Sequence, residues 1–206
     1  MDKDVVAALS AVGAAKFGDF TYASGKRGPV YVDIRVLPSH PKDMDLICTK
    51  MSETVSGLDV DIVTGAETAG IPLSAVIANK LGKPMIYARK KPKNYGAQKK
   101  IEGLLKKGQK TVLIDDMITD GGSKLVFIEG IRESGGDVED AVVVLDREQG
   151  GRKTLESVGV KLHSLTTLRE LLKYLKQEGK ITTEKHDEVL LYLQDPAEWE
   201  EAHARK

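Results

Sequence analysis

The chain has 206 residues, 41% hydrophobic and 30% charged, which suits one α/β domain with a full core and excludes a disordered polymer. Its 31 Lys and Arg residues balance 31 Asp and Glu, so global charge offers no drive toward nucleic acid or membrane. No apolar run approaches the length of a membrane span, and the N-terminus MDKDVVAALSAVG has no signal-peptide core, so a cytoplasmic protein is expected.

In chain order, Val5, Val6, Leu9 and Val12 recur at helical spacing, and Gly13 ends that helix. Residues 17–35 read as a hairpin. Phe20 and Tyr22 lead into a Ser24–Pro29 turn, after which Val30, Val32 and Ile34 alternate with Tyr31, Asp33 and Arg35. Alternation alone leaves Asp33 and Arg35 on a solvent face. Pro41 suits the first position of a helix whose apolar face is Leu46, Ile47, Met51 and Val55. Cys48, the single cysteine, excludes an internal disulfide and reads as a buried small hydrophobe on that helix. His40, His163, His186 and His203 show no ligand spacing, so no zinc site is expected.

From residue 60 the pattern is strand, turn, helix, repeated. VDIVTG (60–65) is a strand, Ile71–Leu81 a helix stopped by Gly82, and PMIYAR (84–89) the next strand. TVLIDD (111–116) follows, then a helix to about Ser134-Gly135-Gly136. AVVVLD (141–146) and VKLHSL (160–165) are further strands. The continuous Val/Ile/Leu runs indicate strands covered on both faces, hence a mostly parallel sheet flanked by helices. Two helices, roughly 167–177 and 182–193, are split by Gly179. Asp195-Pro196 onward, with Trp199, reads as a short terminal segment.

The densest signal is VLIDDMITDGGS, from Val112 to Ser123. An apolar strand ends in Asp115 and Asp116. Met117, Ile118, Thr119, Asp120, Gly121, Gly122 and Ser123 then form a glycine-rich turn into a helix. A helix N-terminus presents free N–H groups, which suits a phosphate. Carboxylates there would repel a bare phosphate but can accept hydrogen bonds from sugar hydroxyls. The implied ligand is a ribose 5-phosphate. A Walker loop is excluded, because no Gly-Lys-Ser/Thr follows and the carboxylates precede the glycines. Asp-Asp or Gly-Gly alone would be unremarkable at such a junction; together in register they favour the sugar-phosphate reading.

Arg89–Lys100, RKKPKNYGAQKK, breaks the alternation with six cations and no carboxylate. It lies between two expected core strands, where connections are usually short. Read alone, it could be a solvated loop or a nucleic-acid patch. Beside a ribose-phosphate site, it could close over an anionic ligand and neutralise a departing diphosphate.

Several segments resemble the orotate phosphoribosyltransferases of the type I phosphoribosyltransferase family, particularly the phosphoribosyltransferase half of the UMP synthases. Arg89–Gly96 resembles the mobile catalytic loop. Leu145-Asp146-Arg147-Glu148-Gln149-Gly150-Gly151 resembles the orotate-side strand end. Phe20–Gly25 with Pro29–Asp33 resembles the N-terminal hood, and Thr64–Leu73 the diphosphate loop. The likeness spans roughly residues 17–175. It implies one domain over 1–206, with a hood from about 1–40 plus C-terminal segments and a core of about 41–175.

The resemblance also implies a reaction in pyrimidine (UMP) biosynthesis. Orotate attacks C1′ of 5-phosphoribosyl 1-diphosphate (PRPP), giving orotidine 5′-monophosphate and diphosphate, with Mg²⁺ held mainly by the diphosphate. Lys93, Asp115 and Asp116 are then the catalytic residues. Arg89, Lys90, Lys93, Tyr95 and Asp115 through Ser123 bind PRPP, and Thr119 and Arg147 bind orotate. A homodimer with shared active sites is implied as well. The chain departs from the bacterial pattern at Ala23, where a lysine is common, at Thr68-Ala69 in place of Tyr-Lys, and at Tyr95 in place of a histidine; Lys26 and Arg27 lie near Ala23. Glu67 is expected behind the site rather than on a metal. Two other readings stay open: transfer to another base, or a non-catalytic regulator that binds PRPP.

Overall fold

The computed structural model describes residues 2–22, 25–91 and 100–203. Helix α1 (Lys3–Ala11) starts at Asp2, whose carboxylate accepts from the Asp4 and Val5 N–H groups. Strands β1 (Ala15–Thr21) and β2 (Arg27–Val32) form an antiparallel pair. The hairpin ends earlier than the alternation predicts. Asp33 caps a 3₁₀ helix over Ile34–Ser39, accepting from the Arg35 N–H, so Ile34 turns inward as part of that helix and not as a strand residue. Helix α2 (Pro41–Ser56) begins with proline as expected and buries Met44, Ile47, Cys48, Met51 and Val55.

The core alternates strands and helices: β3 (Ile62–Ala66), α3 (Gly70–Leu81), β4 (Met85–Ala88), β5 (Ile101–Glu102), β6 (Lys110–Ile118), α4 (Gly122–Glu133), β7 (Asp137–Asp146), α5 (Gly151–Glu156) and β8 (Lys161–Thr167). The sheet order is β5-β4-β3-β6-β7-β8, parallel except for the antiparallel edge strand β5. The basic stretch therefore leads from β4 to an edge strand and not directly to β6. Two residues of pairing are too short to show as a strand in the sequence, and α5 opens on Gly150-Gly151, which reads as loop.

The chain ends in α6 (Leu168–Gln177), α7 (Thr183–Gln194) and α8 (Pro196–His203). The expected short terminal segment is thus a helix. Trp199 is buried there, edge-on to Tyr192 at 5.6 Å between ring centres. No helix among the described residues is long and apolar enough to cross a membrane.

Two apolar layers sandwich the sheet. Val63, Val112, Ile114, Val142 and Val144 join the helices α1, α2, α3, α6 and α7 on one side. Ile62, Leu113, Ala141 and Val143 join Phe127, Ile128 and Ile131 of α4 and Leu155 of α5 on the other. Each fully buried aliphatic side chain stabilises by about 1.5–3 kcal/mol. The chain leaves β3 toward β4 on one side, while β6, β7 and β8 extend the other way. The order reverses between β3 and β6, and such a reversal opens a crevice at the strands' C-terminal ends.

Candidate active site

That crevice holds a cavity of about 450 Å³. Its walls include Glu67, Thr68 and Ala69 after β3, Asp115 to Thr119 along β6 and its end (Ile118 excepted), Asp120, Ser123 and Lys124 at the start of α4, and Arg147 after β7. The hairpin contributes Tyr22, Tyr31 and Val32 from across the opening. Most of the residues singled out by the sugar-phosphate motif therefore converge on one space. Ile118 lies beneath it, fully buried.

The pleat sends neighbouring side chains to opposite faces, so the two aspartates meet different surroundings. Asp115 shares the Leu113 face and forms an ion pair with Lys124, both side chains being less than a tenth exposed. Its Oδ1 also accepts the Asp116 N–H at 2.9 Å. Asp116 shares the Ile114 face and borders a second, mostly apolar cavity of about 210 Å³ with Ile34, Leu37, Ala69, Pro72 and Leu73. Its Oδ1 accepts the Met117 N–H at 2.8 Å.

Burial, and next the charge of Asp115, push the Asp116 carboxyl from 3.8 up to about 7. The folded chain then keeps a proton that the unfolded chain releases near pH 4. Stability of the ligand-free protein is expected to fall as pH rises from about 4 through 7, and Asp116→Asn to flatten that fall. Parallel melting-temperature profiles for the two proteins would contradict this.

The turn after β6 is shaped for close approach. Gly121 has φ +87°, and a Cβ there would sit 3.0 Å from Thr154. Asp120 Oδ1 accepts the Gly122 N–H at 2.9 Å, and α4 starts at once. A Cβ at Gly151 would lie 2.7 Å from the Thr119 carbonyl, so that glycine lets the β7–α5 junction pack against the turn. The Gly151 N–H donates to that carbonyl at 2.9 Å.

Arg147 is 7% exposed, yet its Nε and Nη2 have no protein acceptor. Its guanidinium lies 5.3 Å from the centre of the Tyr22 ring. Burial and the neighbouring Tyr192 push the Tyr22 phenol up to about 12, keeping it neutral. Its hydroxyl donates to the Val30 carbonyl at 2.7 Å. A buried cation with unused donors is costly unless an anion completes it.

Across the cavity, the Lys90 N–H donates to Glu67 Oε2 at 3.0 Å, and Arg89 Nη1 lies 3.6 Å from Glu67 Oε1. Glu67 thus anchors the start of the basic segment, and it does so from the cavity wall and not from behind the site. Lys90 lines the cavity; Lys93 and Tyr95 lie outside the described residues. Arg35, read as a solvent residue, is exposed but reaches the cavity rim, held by Asp33 at 2.8 Å and the Tyr31 hydroxyl at 2.7 Å. Lys124 and Tyr22 escaped the sequence reading of the site. Lys124 had a signal: it falls on the stripe of Phe127, Ile128 and Ile131, where a lysine must be paired to be buried.

A family model of the phosphoribosyl transferase domain matches residues 40–167, and the chain belongs to that family. It is 39% identical over 206 residues to the orotate phosphoribosyltransferase of Ruegeria sp. (strain TM1040), covering 96% of this chain and 91% of the relative. It is 44% identical over 163 residues to the orotate phosphoribosyltransferase of Methanopyrus kandleri, covering 79% and 87%. The fold matches the structure of Leishmania donovani UMP synthase with a TM-score of 0.84 at 31% identity, covering 93% of this chain but only 42% of that one. Within the family, the chain falls among the orotate phosphoribosyltransferases.

Proposed function

We infer that this chain transfers ribose 5-phosphate from PRPP to orotate, giving orotidine 5′-monophosphate and diphosphate, a step of pyrimidine biosynthesis. The observation that carries this is the pairing of an acidic strand end and phosphate turn with a buried, unsatisfied guanidinium across one cavity. Thr119 to Ser123 receive the 5′-phosphate at the α4 N-terminus. Asp115 and Asp116 accept hydrogen bonds from the ribose hydroxyls and place negative charge beside C1′ as it becomes cationic. Arg147 takes the orotate carboxylate in a charge-assisted, planar pairing, with Thr119 beside it. Orientation and preorganised charge supply most of the rate, since displacement at an anomeric carbon needs no protein nucleophile. The hood consists of the first 40 or so residues with the C-terminal helices, closing over a core that ends near residue 175.

Among the described residues there is no cluster of three His, Cys, Asp or Glu side chains suited to a metal. The resemblance implies Mg²⁺ carried on the diphosphate oxygens of PRPP, where it would neutralise the leaving group. The assay is loss of orotate absorbance on adding PRPP and Mg²⁺, with uracil, adenine and hypoxanthine run in parallel. Turnover of orotate alone is expected. Preference for another base would assign a different transferase, and binding of PRPP without any turnover would favour a regulator.

Lys93, outside the described residues, is assigned by resemblance to the departing diphosphate, in a homodimer at the neighbouring site. Lys93→Ala is expected to lower turnover strongly with much less effect on PRPP affinity, because its charge is needed as the diphosphate departs. Mixing Lys93→Ala chains with Asp115→Asn/Asp116→Asn chains should restore activity in hybrid dimers. Hybrids confirmed by mass but inactive would leave a segment acting within its own subunit.

A further inference from the structure

We propose that Lys124 is a positioning residue of the sugar site, its ammonium fixing the Asp115 carboxylate and offsetting its charge so that the acidic strand end admits a ligand bearing a phosphate. The proposal rests on the PRPP reading above and adds a residue which that reading did not need. Lys124 is the third residue of α4, in the turn that faces the cavity, and it is 6% exposed. Its Nζ pairs with Asp115 Oδ2, while Asp115 Oδ1 accepts the Asp116 N–H, so both carboxylate oxygens are held in place.

The fold does not require this pair. A buried ion pair is generally replaceable by apolar side chains without loss of stability, and here Phe127, Ile128 and Ile131 already supply an apolar stripe. The site gains more from it. Two adjacent carboxylates line the same cavity as the phosphate turn, and like charges repel strongly where water is scarce. An ammonium on Asp115 removes much of that repulsion, and it aims the carboxylate's remaining lone pairs without adding a cation that a ligand must displace.

The test is calorimetric binding of PRPP with Mg²⁺, orotate absent, to the wild type, Lys124→Met, Asp115→Asn and the double variant, with thermal melts as the folding control. Methionine keeps the side chain's length without its charge. Lys124→Met is expected to weaken PRPP binding about tenfold or more, the scale of one charge-assisted contact. The double variant is expected to lose less affinity than the two single losses added together, because Lys124 acts through Asp115. Equal affinity in wild type and Lys124→Met overturns the proposal. So does a double variant in which the two single losses simply add, the pattern of two independent contacts. If Lys124→Met does not fold, Asp115→Asn is compared with the double variant. Once the carboxylate is neutral, loss of the ammonium should change affinity by less than about threefold, and a further tenfold loss overturns the proposal. A wild type that fails to bind PRPP would reject the functional reading itself, and this inference with it.

Discussion

Asp115→Asn/Asp116→Asn is expected to fold and to retain little turnover. Removing one preorganised electrostatic group from an active site typically costs about 10²–10³ in rate, and the double change removes two. Both carboxylates face the cavity from the end of β6, so the loss falls on the ribose hydroxyls and on the cationic C1′. The fold should survive with a lowered melting temperature, because Lys124 loses its buried partner. Asparagine keeps the acceptor oxygens used by the Asp116 and Met117 N–H groups, and it removes a carboxylate whose ionisation burial opposes. The measurement is steady-state turnover beside a thermal melt. Near-normal turnover in a folded variant would show that the strand end does not do the chemistry.

Arg147→Ala is expected to weaken orotate far more than PRPP. A charge-assisted hydrogen bond contributes about 1.5–3 kcal/mol, and Arg147 offers two buried donors that the protein leaves unused. The substitution also removes the cation over the Tyr22 ring. KM for orotate should therefore rise by an order of magnitude or more, with KM for PRPP little changed. Equal increases in both would assign Arg147 a general structural role.

The parallel sheet and the glycine-rich turn into α4 were legible because each rests on a local pattern. Continuous apolar runs mark strands covered on both faces, and Asp115-Asp116 followed by Gly121-Gly122 marks a strand-to-helix junction. Features made by distant segments were not. Nothing near Asp116 in the sequence foretells that it shares a cavity with Leu37 and Leu73, or that Arg147 lies over the Tyr22 ring. Other features were readable but overlooked. The pleat separates adjacent aspartates onto opposite faces, and helical spacing places Lys124 on an apolar stripe facing Asp115. The 3₁₀ helix at Ile34 was hidden because alternation continues through a helix start when its cap, Asp33, is itself a polar residue in register. Lys93 and Tyr95 rest on resemblance, since they lie outside the described residues.

The most direct test is a crystal structure with PRPP, Mg²⁺ and orotate bound to the Lys93→Ala variant, whose slow turnover should preserve the substrates. The expected result places the 5′-phosphate on the Thr119–Ser123 turn, the ribose hydroxyls on Asp115 and Asp116, and the orotate carboxylate on the Nε and Nη2 of Arg147. Density for PRPP elsewhere, or orotate bound away from an Arg147 that remains unpaired, would contradict it.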